Sequence, residues 1–303
     1  MTLARLRARW RARPPHHARS LWALLIVLDA LPRPWGERAL AGLFMLAGLA
    51  SPGRRRSALA WADAQHAARR WRLAAATCAY LGHWVAWGRA LGFRGPEHLR
   101  DHLALEGGEH LAAVPGAAIL LGFHLGVSGG DMTFRILGYP VTFFGWSDRA
   151  AALGWWSGAW RPFVEPHPLS FAAERRQRWL ALLYAAREIL VAGGKIHILA
   201  DGDGREAFRL SLSVGEWRLG AGWLTLHRIT GAPVLPVVRR LEGSRQIITV
   251  HPPLPALAPS PEGLEVWRER LTGVVEDYIR RFPAQCPHLA LVLRLADRRR
   301  AGT

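Results

Sequence analysis

His124 is the residue whose type and setting most directly suggest chemistry. It follows the apolar run Ala117–Phe123 and opens a glycine-punctuated stretch, His124-Leu-Gly-Val-Ser-Gly-Gly-Asp131. An uninterrupted apolar run of that length predicts a strand buried on both faces. An imidazole just past the strand's C-terminal end stands where open α/β sheets set their sites, and it can accept a proton near neutral pH. A second polar turn, Asp201-Gly-Asp-Gly204, closes the apolar run Lys195–Ala200 and predicts another strand end of the same kind.

Two other chemistries compete for these residues. Gly126-Val-Ser128-Gly-Gly130 matches G-x-S-x-G, and Asp201 or Asp203 with His227, His251 or His288 would complete the order Ser…Asp…His of a hydrolase. Against it, a nucleophile elbow lies deep in its sheet, whereas everything before residue 115 reads as helix. A helix N-cap is the better reading of Ser128. Thirteen histidines raise the question of a metal, but HExxH and clustered Cys/His spacing are missing, so neither a metal nor a cofactor is expected.

The elements that position these residues alternate. Strands are predicted over 117–123, 139–145, 195–200, 208–214, 232–238 and 246–251, and helices over 57–91, 172–192, 216–229 and 262–282. Residues 97–102 and 106–113 read as connectors. The pattern gives an α/β fold, a mixed sheet flanked by helices, with an N-terminal membrane-associated helical hairpin.

That hairpin is read from charge and hydropathy. Residues 1–19 carry six arginines and no acid, and the apolar runs Leu21–Leu31 and Ala39–Ala50 flank a Pro-Arg-Pro turn. Each run is shorter than the ~20 residues a spanning helix needs, and the turn does not suit a cleaved signal. Basic flanks around short apolar helices predict interfacial contact with an anionic membrane. The chain therefore divides into a membrane-contacting hairpin, 1–56, and an α/β domain, 57–303, that does not stand independently of it.

Of 303 residues, 40 are Lys or Arg and 23 Asp or Glu, a net charge of +17. All but Lys195 of those cations are arginine. The field predicts an acidic partner. Because the arginines are scattered and no nucleic-acid module is recognisable, nucleic acid is not expected. Cys78 and Cys286 form no spaced pair, which predicts reduced thiols rather than a disulfide or thiolate site.

In order and spacing the segments AILLGFHLGVSGGDMTFRILGYPV, GGKIHILADGDG, VGEWRLGAGWLTLHRITGAPVLPVV, ITVHPPL and FPAQC resemble the bacterial lipid A lauroyl/myristoyl acyltransferase family, a branch of the lysophospholipid acyltransferase superfamily. The resemblance implies transfer of a fatty acyl chain from an acyl-carrier-protein or acyl-CoA thioester to a hydroxyl of a membrane lipid or glycolipid. It places the protein at the cytoplasmic face of the inner membrane, with His124 as general base. An acidic carrier and an anionic bilayer both fit the charge.

One departure matters. The family's acid, five residues after the histidine, falls on Gly129. Asp131, freed by the preceding glycines, is the first replacement, with Asp203 or Asp201 from the neighbouring strand end as the others. If none serves, a non-catalytic lipid-binding relative is the alternative. Lys195, Asp201, Arg205 and Arg209 are candidates for the acceptor's polar groups, and Arg149 and Trp155 for an acyl-chain entrance.

Overall fold

The computed structural model describes residues 33–94, 99–126, 130–144, 177–201, 207–258 and 260–289. Three helices come first: α1 (Arg33–Ala50), α2 (Pro52–Ala64) and α3 (Arg70–Arg94). The body then runs β1 (Leu103–Glu106), α4 (Gly108–Ala112), β2 (Ala118–Gly122), α5 (Gly130–Ile136), β3 (Val141–Phe144), α6 (Gln177–Val191) and β4 (Lys195–Leu199). It continues through β5 (Ala207–Leu212), β6 (Gly215–Gly220), α7 (Gly222–Thr230), β7 (Val234–Glu242), β8 (Arg245–Val250), α8 (Pro261–Arg281) and a 3-10 turn, Pro283–Gln285.

Six strands make a mixed sheet in the order β1-β8-β7-β2-β4-β3, with β7 and β8 antiparallel and the other neighbours parallel. β5 and β6 form a separate antiparallel hairpin. The run predicted to be buried on both faces is β2, every residue of which is buried. Its side chains alternate as a strand requires. Ile119 and Leu121 enter the larger core with Leu182 of α6, Trp223 of α7, Trp267 of α8 and Trp217 of β6. Ala118 and Leu120 face Leu111 of α4 and Phe134 of α5 in a second core. The mixed α/β sheet flanked by helices is thus present.

Several boundaries differ from those expected. The helix predicted over 57–91 is two helices, α2 and α3, separated by a turn where His66 takes a left-handed φ of +47°. Apolar spacing carries across the break, so periodicity alone hides it. Residues 216–229 are not one helix, because Glu216–Gly220 belongs to β6, whose alternating burial packs Trp217 and Leu219 inward. Between the expected connectors 97–102 and 106–113 lies the edge strand β1, which pairs with β8. The 56/57 boundary falls inside α2.

The first half of the expected hairpin, residues 1–32, lies outside the described residues. Its second half is α1, which packs against α3 through Leu40, Phe44 and Ala86. Among the described residues no helix is long and apolar enough to cross a membrane. α1 leaves Trp35, Leu43 and Leu46 exposed.

Candidate active site at the strand ends

The site follows from strand register. β2 and β4 are parallel neighbours with Gly122 opposite Leu199, and the Ala200 N–H donates to the Gly122 carbonyl at 2.9 Å. Continuing that register by two residues sets His124 opposite Asp201. The Asp201 carboxylate grips His124 twice: Oδ1 lies 2.8 Å from the ring Nδ1, and Oδ2 accepts the His124 backbone N–H at 2.8 Å. An ionised carboxylate only accepts, so Nδ1 carries the proton and Nε2 is left as the ring's base. The Asp201 side chain is fully buried, while that of His124 keeps 24% exposure. Both bonds are charge-assisted, worth about 1.5–3 kcal/mol each, and together they fix ring orientation and tautomer.

A brace from the C-terminal part of the chain holds the loop after His124. β7 runs past the end of β2, whose last partner there is Val237, leaving the backbone of residues 239–241 open on that side. Buried backbone groups need partners. The Tyr278 hydroxyl donates to the Arg239 carbonyl at 2.6 Å. The Gln285 amide pairs with Leu241 in both directions at 2.9 Å, accepting from its N–H and donating to its carbonyl. The Gly126 N–H donates to the Gln285 carbonyl at 3.0 Å. Gly126 has φ +73°, and a Cβ there would lie 1.8 Å from the Arg239 carbonyl oxygen. No other residue type fits. The Trp61 indole N–H of α2 donates to the Pro283 carbonyl at 2.9 Å, tying the brace to the N-terminal helices.

The brace also carries His288 to the site. Its Nε2 is 3.8 Å from Asp201 Oδ2, and its ring centroid is 4.8 Å from that of His124.

A second histidine, His197, lies beneath the site in the middle of β4 and is fully buried. Arg239 Nη2 donates to its Nε2 at 3.1 Å, so the His197 proton sits on Nδ1. Burial first, then the positive charge of Arg239 and the neighbouring His124 ring, push its pKa well below the usual imidazole value. A Cβ on Gly122 would fall 2.4 Å from His197 Nε2, which explains the glycine that ends β2.

The residues singled out from sequence separate clearly. Asp201, named from sequence both for the acceptor's polar groups and as an alternative to Asp131 for the acid beside His124, is the carboxylate on His124. The backbone of α5 is already helical at Gly130, whereas the route for Asp131 requires an extended chain up to that residue. The Asp131 side chain lies outside the described residues, as do Asp203, Arg205, Arg149, Trp155 and Ser128.

Lys195 begins β4, roughly 13 Å along the strand from Leu199 at ~3.3 Å per residue. Its ammonium closes the loop before β2 by donating to the Pro115 and Gly116 carbonyls at 3.3 and 2.9 Å. It sits at the opposite end of the strands from His124. Arg209 is engaged with Glu216 across the β5–β6 hairpin at 3.2 Å, and both guanidiniums of that patch, Arg218 ahead of Arg209, lower the Glu216 pKa. His227 Nδ1 donates to the Ala232 carbonyl at 2.8 Å instead of approaching Asp201. Sequence reasoning missed the roles of Arg239, Tyr278 and Gln285, which depend on how far β7 overhangs β2. Cys78 and Cys286 are free and buried, and burial raises both thiol pKa values.

No protein-family model matches this chain, and no curated protein matches it in sequence.

Proposed function

We propose that this protein is an O-acyltransferase, moving a fatty acyl chain from an acyl-carrier-protein or acyl-CoA thioester to a hydroxyl of a membrane lipid or glycolipid. The carrying observation is the double hold of Asp201 on His124 at the end of β2. Asp201 keeps the proton on Nδ1, and Nε2 accepts the proton of the acceptor hydroxyl as its oxygen attacks the thioester carbonyl. The carbon–sulfur bond then breaks, and the imidazolium returns the proton to the leaving thiolate. During that interval the buried carboxylate stabilises the imidazolium, as an aspartate does in a catalytic triad. This division of labour answers the lack of a family acid at Gly129, which is the ground for reading the chain as a non-catalytic lipid binder.

The setting we propose is the cytoplasmic face of a bacterial inner membrane. On α1, Trp35, Ala39, Leu43, Leu46 and Ala50 fall within a stripe of about 80° at 100° per residue, and all five are exposed. Arg54, Arg55 and Arg56 follow directly in α2. Apolar stripe and basic flank together make the paired signal that an interfacial helix uses on anionic lipid. The net charge of +17 also favours encounter with an acidic carrier protein.

The test combines purified protein, acyl-carrier-protein or acyl-CoA thioesters and a membrane lipid extract. It reads thiol release together with the acyl-chain mass gained by a lipid. Thiol release without a lipid product in wild type, or equal product from His124→Ala, sinks the assignment.

A further inference from the structure

The C-terminal ends of β2 and β4 bring together a third group that acyl transfer does not require. His124, Asp201 and His288 each offer a ligand atom, and the three atoms lie within 4.8 Å of one another. We propose that these residues form a binding site for a divalent transition-metal ion, Zn2+ by its ligand set, and that occupancy switches His124 off as a base. The second half of the proposal rests on the acyl-transfer reading; the site itself does not.

The ligand chemistry is two imidazoles and one carboxylate, a set that suits zinc and its first-row neighbours and not Mg2+ or Ca2+. Bonds of about 2.0–2.2 Å around a tetrahedral ion separate ligand atoms by roughly 3.5 Å. The present separations straddle that value: His124 Nδ1 lies 2.8 Å from Asp201 Oδ1, and no two of the three ligand atoms are more than 4.8 Å apart. Adjustments of about an ångström close the site. Access is available, because the His288 and His124 side chains are 37% and 24% exposed although Asp201 is fully buried. All three ligands ride on fixed supports. Two extend paired strands, and the third follows the brace that Gln285 clamps onto β7. A fourth position stays open to water.

The consequence for His124 is a change of tautomer. A metal takes an unprotonated nitrogen. With the ion on Nδ1, the proton that Nδ1 shares with Asp201 moves to Nε2, and the ring keeps the same number of protons. Nε2 is the nitrogen that would receive the acceptor's proton, so metal occupancy and base function exclude each other.

Cobalt titration of the full chain tests the site without any lipid substrate. Wild type is expected to bind one Co2+ with visible d–d absorption that Zn2+ abolishes, and to melt at higher temperature when loaded. Even outer-sphere partners change metal affinity 10–100-fold, so loss of a direct ligand in His288→Ala should weaken binding at least about 100-fold. The size-conserving His288→Gln should do likewise, with its folding checked by circular dichroism. Nitrogen-15 correlation spectra of His124 should show the ring proton on Nδ1 in apo protein and on Nε2 in zinc-loaded protein. Absence of saturable cobalt binding in wild type, wild-type affinity in both His288 variants, or an unchanged tautomer overturns the proposal. None of those results touches acyl transfer. Conversely, metal bound as described in a protein that transfers no acyl chain leaves the site standing and removes the enzymatic reading.

Discussion

The sheet carries two histidines that differ in every respect that governs proton chemistry. His124 sits past the end of β2, partly exposed and paired with a buried carboxylate; His197 sits inside β4, fully buried and paired with a guanidinium. Burial and a cationic neighbour oppose an imidazolium at His197, while at His124 the carboxylate fixes the tautomer and leaves Nε2 accessible. The same side chain is therefore oriented with a free ring nitrogen at the strand end, as the base we propose requires, and is a neutral packing group deeper inside. What separates them is how far each residue lies along a parallel strand. Thirteen histidines in a sequence say little; strand register says most of it.

The largest effect that should break this comparison is chemical. His124→Ala is expected to lose about 10²–10⁴-fold in turnover, equivalent to roughly 2.7–5.5 kcal/mol of barrier. Asp201→Asn should fall in the same range with its secondary structure intact, since an amide holds the wrong tautomer. Steady-state thiol release with the proposed donor measures both.

Next in size is Gly126→Ala, which strikes the point where the His124 loop meets the Arg239 carbonyl. The left-handed φ alone costs about 1–2 kcal/mol, and the Cβ would also lie 1.8 Å from that oxygen. A loss above about 2 kcal/mol in a denaturant titration is expected. A neutral result would mean that the loop is not braced.

The buried histidine sharpens the contrast through pH. Its folded-state pKa is depressed below the ordinary 6.5, so the unfolded chain binds the extra proton. The stability that His197 contributes is present above that value and is lost as pH falls below it, by up to ~1.4 kcal/mol per pH unit. His251 and His83 are depressed in the same direction, chiefly by burial. Thermal melts between about pH 7.5 and 5 should therefore slope steeply, and His197→Gln should flatten part of that slope. The smallest effect lies at the surface hairpin. Arg209→Ala removes an exposed ion pair worth less than about 1 kcal/mol. Unchanged stability with a raised KM for a phosphorylated acceptor would restore the binding role that the sequence suggests for Arg209.

Much of the framework is legible in the sequence. β2 and β4 stand out because continuous apolar runs end in polar, glycine-rich turns, and both members of the site pair lie in those turns. Which acid meets His124 is not legible there. The answer depends on β2 and β4 being adjacent and in register, a long-range fact that no local pattern carries. β1 is hidden by its length of four residues, and β6 by a sequence, Glu216-Trp-Arg-Leu-Gly220, that fits an amphipathic turn as well as an alternating strand. His288 follows a proline-bounded turn with no periodicity, and residue order alone offers it beside His227 and His251 with nothing to choose among the three.

The brace also sets a folding order. The contact between His124 and Asp201 closes over 77 residues, and that between Trp61 and Pro283 over 222. Contacts so distant in sequence form late, because chain entropy is spent before they are rewarded. Helices and the β5–β6 hairpin can form from local interactions, whereas the loop bearing His124 gains its second anchor, on Gln285, only when α8 and the turn after it have docked on β7. During refolding, recovery of activity should therefore lag behind recovery of helical signal, and a chain caught between the two would have its secondary structure but no working site.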